Sequence, residues 1–138
     1  METVGYSGTP LAKKLGIKEG FKVMTVGEPD GYGDLVSPLP QDVSFVEIGA
    51  SDVDLVHLFT NGRDELFGKL ARLRDQIKQD GTIWVSWYKK AAKLPTEITE
   101  DTVREAAFPL GLVDVKVCAV DDKWSGLKLV IRKEFRRA

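Results

Sequence analysis

Cysteine and histidine are almost absent from this 138-residue chain, each occurring once, as Cys118 and His57. One cysteine excludes an intrachain disulfide, and with a single histidine it excludes the Cys/His sets that bind structural zinc. An excess of one charge is also missing: 20 Lys and Arg face 21 Asp and Glu, for a formal net charge of −1. Whole-domain attraction to nucleic acid or to an anionic membrane is therefore not expected, which leaves only a local basic patch open. No apolar run approaches the ~20 residues of a membrane span, and Met1–Tyr6 lacks the basic-then-apolar pattern of a secretory signal. The expectation is a cytoplasmic protein with no membrane partner. Internal repeats and low-complexity segments are absent too.

What is present has the balance of an ordinary globular domain, 43% apolar and 30% charged. A chain of roughly 150 residues buries about 68–70% of its unfolded surface, so a core is affordable without staples. The reading is one α/β domain over residues 1–138, with residues 1–20 as a helical lead-in. Thr9 is positioned to cap a helix beginning at Pro10 and ending near Leu15, with Gly16 just after it. Short apolar runs at Phe21–Val26, Val43–Ile48, Asp54–Phe59 and Thr82–Trp87 read as strands buried on both faces. A helical turn is expected between Tyr32 and Val36, before Pro38.

Between Asp64 and Gln79, Leu66, Phe67, Leu70, Leu73 and Ile77 fall on one helical face, with Asn61 near the start and Gly81 at the exit. Thr99 caps a further helix whose inner face is Val103, Ala106, Ala107 and Leu110; Pro109 distorts its last turn and Gly111 stops it. Val113, Val115, Val117 and Ala119 then alternate with polar residues, as do Leu127, Leu129 and Ile131. These two runs read as a terminal antiparallel hairpin with one apolar face. The basic residues Arg132, Lys133, Arg136 and Arg137 read as a solvated end.

Two stretches carry a resemblance. Asp54–Phe59, the following helix and Ile77–Ser86 resemble the fourth strand, helix and fifth strand of class I methyltransferases. Leu110–Val117 and Gly126–Lys133 resemble that superfamily's last two strands. The resemblance implies a Rossmann-like, mostly parallel six-stranded sheet with a C-terminal antiparallel hairpin, a truncated methyltransferase-like topology. Its strand order would be second, first, third, fourth, sixth, fifth. More closely, Gly5–Lys18, Ile83–Trp87 and Val113–Lys128 resemble a bacterial family of unknown function, which implies no mechanism.

Methyltransferases use S-adenosylmethionine, and the resemblance implies Gly27 and Asp30 of the loop, with Glu47 for the ribose, as cofactor-binding positions. The departures count against that cofactor. Glu28, Pro29 and Asp30 stand where a tight glycine-rich turn wants small residues. Ile48 and Asp54 are too close together for the superfamily's third strand and its helix.

Ligands of open α/β sheets sit outside the carboxyl ends of the strands. The implied order brings Ser86, Trp87, Lys89, Lys90 and Lys93 beside the turn carrying Asp121, Trp124 and Ser125. Indoles, hydroxyls and ammonium groups suit a small anionic ligand or a protein partner. His57 reads as a satisfied core histidine and Cys118 as an inert strand residue. The carboxylates of Glu28, Asp30 and Asp34 read as solvated, with no metal expected. No catalytic arrangement is legible. The function expected is a non-catalytic binding or regulatory module; the alternatives are a small S-adenosylmethionine-dependent transferase and a subunit acting only in a partner complex.

Overall fold

A computed structural model describes residues 10–136. Six strands, β1 (Lys22–Val26), β2 (Ser44–Val46), β3 (Val53–Phe59), β4 (Ile77–Tyr88), β5 (Leu112–Ala119) and β6 (Trp124–Ile131), form one sheet ordered β2-β1-β3-β4-β6-β5. β1, β2, β3 and β4 pair in parallel, while β6 runs antiparallel to both β4 and β5. The sheet is thus mixed, in the strand order the resemblance implies. Ser86 lies opposite Gly126 and Tyr88 opposite Trp124, so the hairpin turn meets the end of β4.

The continuous apolar run of β3 follows from burial on both faces. One face is covered by α3 (Arg63–Arg74) and α4 (Glu100–Ala107), which set Leu66, Leu70, Leu73, Val103 and Ala106 on Val56, Leu58, Val85 and Leu127. The other carries α1 (Leu11–Leu15) and α2 (Tyr32–Leu35), whose Leu11, Leu15 and Tyr32 pack with Val23, Leu55, Phe59 and Trp84. Trp84 is fully buried and its indole N–H donates to the Leu15 carbonyl at 2.8 Å, tying α1 to the sheet.

Local signals account for most helix ends. Gly16 takes the left-handed conformation after α1, and Thr99 caps α4 in a reciprocal box with Thr102. Pro10 itself is the residue preceding α1; Thr9 lies outside the described residues. α4 tightens into a 3-10 turn at Phe108–Leu110, around Pro109, and Gly111 ends it.

Three expectations are corrected. The helix expected to reach Gln79 stops at Arg74, and Ile77 instead opens β4 opposite Val53. The Lys78 ammonium on Asp54 (2.9 Å) and the Val53 N–H on the Gln76 carbonyl hold that junction in extended form. Residues 78–81 bulge out, and Gly81 serves packing, because a Cβ there would stand 2.9 Å from that of Ile77. β2 is an exposed edge and not a doubly buried strand.

The apolar residues of β5 do not share a buried face. A register shift between Asp114 and Lys116 switches the alternation, and among the described residues only the ends of this edge strand are packed, so Val115 is 54% exposed. The basic segment after β6 folds back, with the Arg132 N–H on the Gly111 carbonyl at 2.8 Å, while Lys133 and Arg136 stay exposed and Arg137 lies outside the described residues.

Trp84→Phe keeps an aromatic ring but leaves the Leu15 carbonyl without its donor. The expected cost is about 1–3 kcal/mol in denaturant unfolding, with faster amide exchange in α1.

Candidate functional site

The carboxyl ends of β1, β3 and β4 meet the turn that precedes β6. β1 ends at Gly27, whose φ is 70° and whose missing Cβ would lie 2.6 Å from the Phe59 carbonyl oxygen. Only glycine meets both demands. The chain continues through exposed Glu28 and Asp30 to Gly31, and Tyr32 then turns under the sheet. Its hydroxyl is 2.8 Å from His57 Nδ1, and His57 Nε2 is 2.8 Å from the Ser86 hydroxyl. The imidazole stacks on Phe59 with ring centroids 4.1 Å apart.

Burial lowers the His57 pKa to about 3, and burial, followed by the charge of Glu28, pushes the Tyr32 phenol above its ordinary value. All three groups are neutral near pH 7. In any tautomer one imidazole nitrogen donates and the other accepts, so the ring is satisfied on both sides. His57 and Ser86 are fully buried. His57 is therefore a core histidine, as expected, and Ser86 leaves the ligand edge for the core. It shares the α1/α2 face with Trp84, a consequence of strand alternation.

Two more expected edge residues have structural duties. The Asp121 carboxylate accepts the N–H groups of Lys123 and Trp124 at 2.8 and 2.9 Å, which fixes the hairpin turn. Trp124 is 8% exposed and packs edge-on against Phe59 and at a tilt on Tyr88. Asn61, expected as a helix cap, instead accepts the Tyr88 N–H (2.8 Å), and Gly62 precedes α3.

The remaining edge residues divide. Trp87, Lys89, Lys90 and Ser125 line an open groove of about 770 Å³ between the end of β4 and the start of α4. Trp87 and Ile98 are its buried apolar members, and Leu94 and Pro95 add an apolar wall. The opposite wall is Thr99, Glu100, Asp101 and Arg104. Arg104 pairs with Glu100, Asp101 and Asp114 at 2.8–3.1 Å, and these bonds raise its pKa further. Neither Lys89 nor Lys90 has an ion-pair partner among the described residues.

Lys93, exposed and in the left-handed region at φ 55°, does not line the groove. Nor do Gly27, Asp30 or Glu47. Glu47 follows Val46, which pairs with Met24 across to β1, so it lies at the far side of the sheet end. Residues 47–52, which join β2 to β3, contain neither helix nor strand.

Sequence reasoning missed Tyr32 as a buried polar partner, and it missed the α4 wall. The second was within reach, because a helix that follows a parallel strand begins at that strand's carboxyl end. The described residues contain no group of three or more His, Cys, Asp or Glu side chains able to hold a metal ion. Cys118 is half-buried, and burial pushes its thiol pKa up against the lowering influence of Lys14 and Lys116. No helix among the described residues is long and apolar enough to cross a membrane.

With the geometry in hand, residues 12–133 match the model of a family described as Protein of unknown function (DUF3052). The chain belongs to the DUF3052 family. No curated protein matches it. Solved structures similar to this DUF3052 chain include several methyltransferases, along with a possible exported protein from Bordetella parapertussis.

A SAM-dependent methyltransferase from Aquifex aeolicus superposes with a TM-score of 0.65 at 17% identity, covering 88% of each chain. Fibrillarin from Aeropyrum pernix, with natively bound S-adenosyl-L-methionine, gives 0.58 at 12% identity over 87% of this chain and 73% of its own. Magnesium protoporphyrin IX methyltransferase from Synechocystis, with bound SAM, gives 0.57 at 12% identity over 88% and 74%. Likeness at this identity establishes a Rossmann-like methyltransferase fold for the DUF3052 chain, and no activity.

Two outcomes are expected. Trp124→Ala should destabilise by about 3–5 kcal/mol in denaturant unfolding, as for a core tryptophan. His57 has a folded pKa below its unfolded value near 6.5. Stability is therefore lost as pH falls from about 6.5 towards 3, because the unfolded chain takes up a proton the native one refuses. The melting temperature of the natural chain should drop more between pH 7.5 and 4.5 than that of His57→Gln, in which this group is absent.

Proposed function

We propose that this chain is a non-catalytic binding or regulatory module on a degenerate, truncated methyltransferase-like scaffold, and that its groove takes a small anionic ligand. The observation that carries the reading is the groove itself. Lys89 and Lys90 stand at its lip without carboxylate partners among the described residues, while Arg104 already engages the acidic side chains of the opposite wall. An ammonium pair above an apolar floor of Trp87 and Ile98 suits an anion that carries an apolar or aromatic body. The nucleophile and base pairs of common acyl-transfer chemistry have no counterpart in the groove, and the one Ser–His contact is buried and neutral.

S-adenosylmethionine fits poorly. The Phe59 carbonyl occupies the space beside Gly27, Pro29 stiffens the loop, and residues 47–52 supply no third strand to shape an adenine pocket. A transferase is the second reading, and exposed Glu47 at the end of β2 favours it, placed where ribose hydroxyls could be held.

A thermal-shift screen over nucleotides, S-adenosyl compounds and small anions tests both. A ligand at about 100-fold its dissociation constant stabilises by about 2.7 kcal/mol. Anions should raise the melting temperature of the natural chain. The Lys89→Ala/Lys90→Ala variant should lose that shift while its own stability stays within roughly ±0.5 kcal/mol of the parent. Calorimetric titration with S-adenosylmethionine should give a constant weaker than micromolar; a micromolar or tighter one would replace this reading with the transferase.

A further inference from the structure

At the other end of the sheet from the groove, the chain builds a second surface. β6 leaves the sheet at Ile131, and a 3-10 turn over Lys133–Phe135 folds the following residues back. Gly111 makes room for this, since a Cβ there would stand 3.1 Å from the Phe135 ring. The Arg132 guanidinium lies between two aromatic rings, 4.7 Å from the Phe108 centroid and 4.8 Å from that of Phe135. These rings are 66% and 48% exposed. Arg132 Nε has no hydrogen-bond partner among the described residues, and its nearest carboxylate, Glu134, stands 3.8 Å away. Lys133 and Arg136 are exposed beside it without ion-pair partners among the described residues, and Arg74 joins them through its bond to the Leu110 carbonyl. β5, whose outer edge has no strand beside it among the described residues, starts from this same corner with exposed Val113.

We infer that this corner is a docking surface for an acidic segment of a partner protein that also carries aromatic or aliphatic side chains. A guanidinium held rigid between two rings presents its donors in a fixed fork, the geometry that carboxylates match. Exposed aromatic rings around an arginine are the composition of interface hot spots. The four cations of this corner outnumber its carboxylates, Glu134 beside Arg132 and Asp75 next to Arg74, and set the sign of the partner.

A second copy of this chain would bring the same cations against these and be repelled. Single-stranded nucleic acid is disfavoured because the ring faces that would stack a base already hold Arg132, and because a net charge of −1 gives no long-range pull on a polyanion. The surface is separate from the groove, so a bound anion and a bound partner can coexist on one module.

Fluorescence anisotropy on the full chain tests this with three labelled probes: a random glutamate–tyrosine copolymer, polyglutamate and a twelve-residue oligothymidylate. The copolymer should bind most tightly. Phe108→Ala should weaken it about tenfold with an unchanged melting temperature, and Lys133→Glu/Arg136→Glu should weaken it at least as much. Lys89→Ala/Lys90→Ala should leave it unaffected, which separates this surface from the groove. Four results would overturn the inference: oligothymidylate or polyglutamate binding as tightly as the copolymer, no copolymer binding, copolymer binding that survives both corner variants, or a dimer that Phe108→Ala dissociates.

Discussion

Tyr32, His57 and Ser86 form a chain of polar groups inside an apolar layer, and the arrangement of the sheet's working end depends on it. Each link is 2.8 Å, and the imidazole at its centre is sealed from water. A buried polar group left without its partner costs about 1–3 kcal/mol, so the three residues are held to one another. Their positions in the chain make the constraint far-reaching. Tyr32 opens α2 after the β1 loop, His57 belongs to β3 and Ser86 to β4, so one set of bonds fixes a helix and two strands at once. Phe59, stacked on the imidazole, passes the constraint to Trp124 and the hairpin turn.

That constraint also decides where a ligand can go. In the related fold, the crevice beside the first strand is the place for a cofactor; here Gly27 lies close against the Phe59 carbonyl, and Tyr32 packs with Phe59 in the layer beneath. The open volume lies instead towards α4, beyond Trp87. A scaffold shared with methyltransferases thus presents different chemistry at its rim: two ammonium groups over an apolar floor. The shared fold does not by itself decide the function. The Arg132 corner, at the opposite end of β6, gives the same domain a second face of different character.

Much of the fold was legible because its signals were local and consistent. Apolar runs bounded by Gly and Pro marked the strands, Thr99 marked α4, and the methyltransferase resemblance implied the sheet order. Failures arose where one pattern serves two structures. Ile77 lies at a helical offset from Leu66 and is equally suited to open a strand, and only its pairing with Val53 decides. The alternation of β5 broke at a bulge that no residue type announces. At the candidate site, Trp87, Lys89, Lys90 and Ser125 do line one groove, as the strand order implied. Ser86 was not, because the side of a strand a residue faces depends on register. Tyr32 was invisible as a partner for His57, since a buried hydrogen bond between distant residues leaves no trace in either one's neighbours.

Backbone amide shift mapping by NMR puts the central claim, that binding at this end occurs in the α4 groove and not beside Gly27, to its most direct test. Inorganic pyrophosphate and S-adenosylhomocysteine, each added at millimolar concentration to the isotope-labelled chain, are suitable probes. The account predicts that pyrophosphate moves the amides of Tyr88, Lys89, Lys90 and Thr99, and that neither compound moves those of Gly27, Asp30 and Glu47. Saturable shifts at Gly27, Asp30 and Glu47 with S-adenosylhomocysteine, and none in the groove with pyrophosphate, would contradict it.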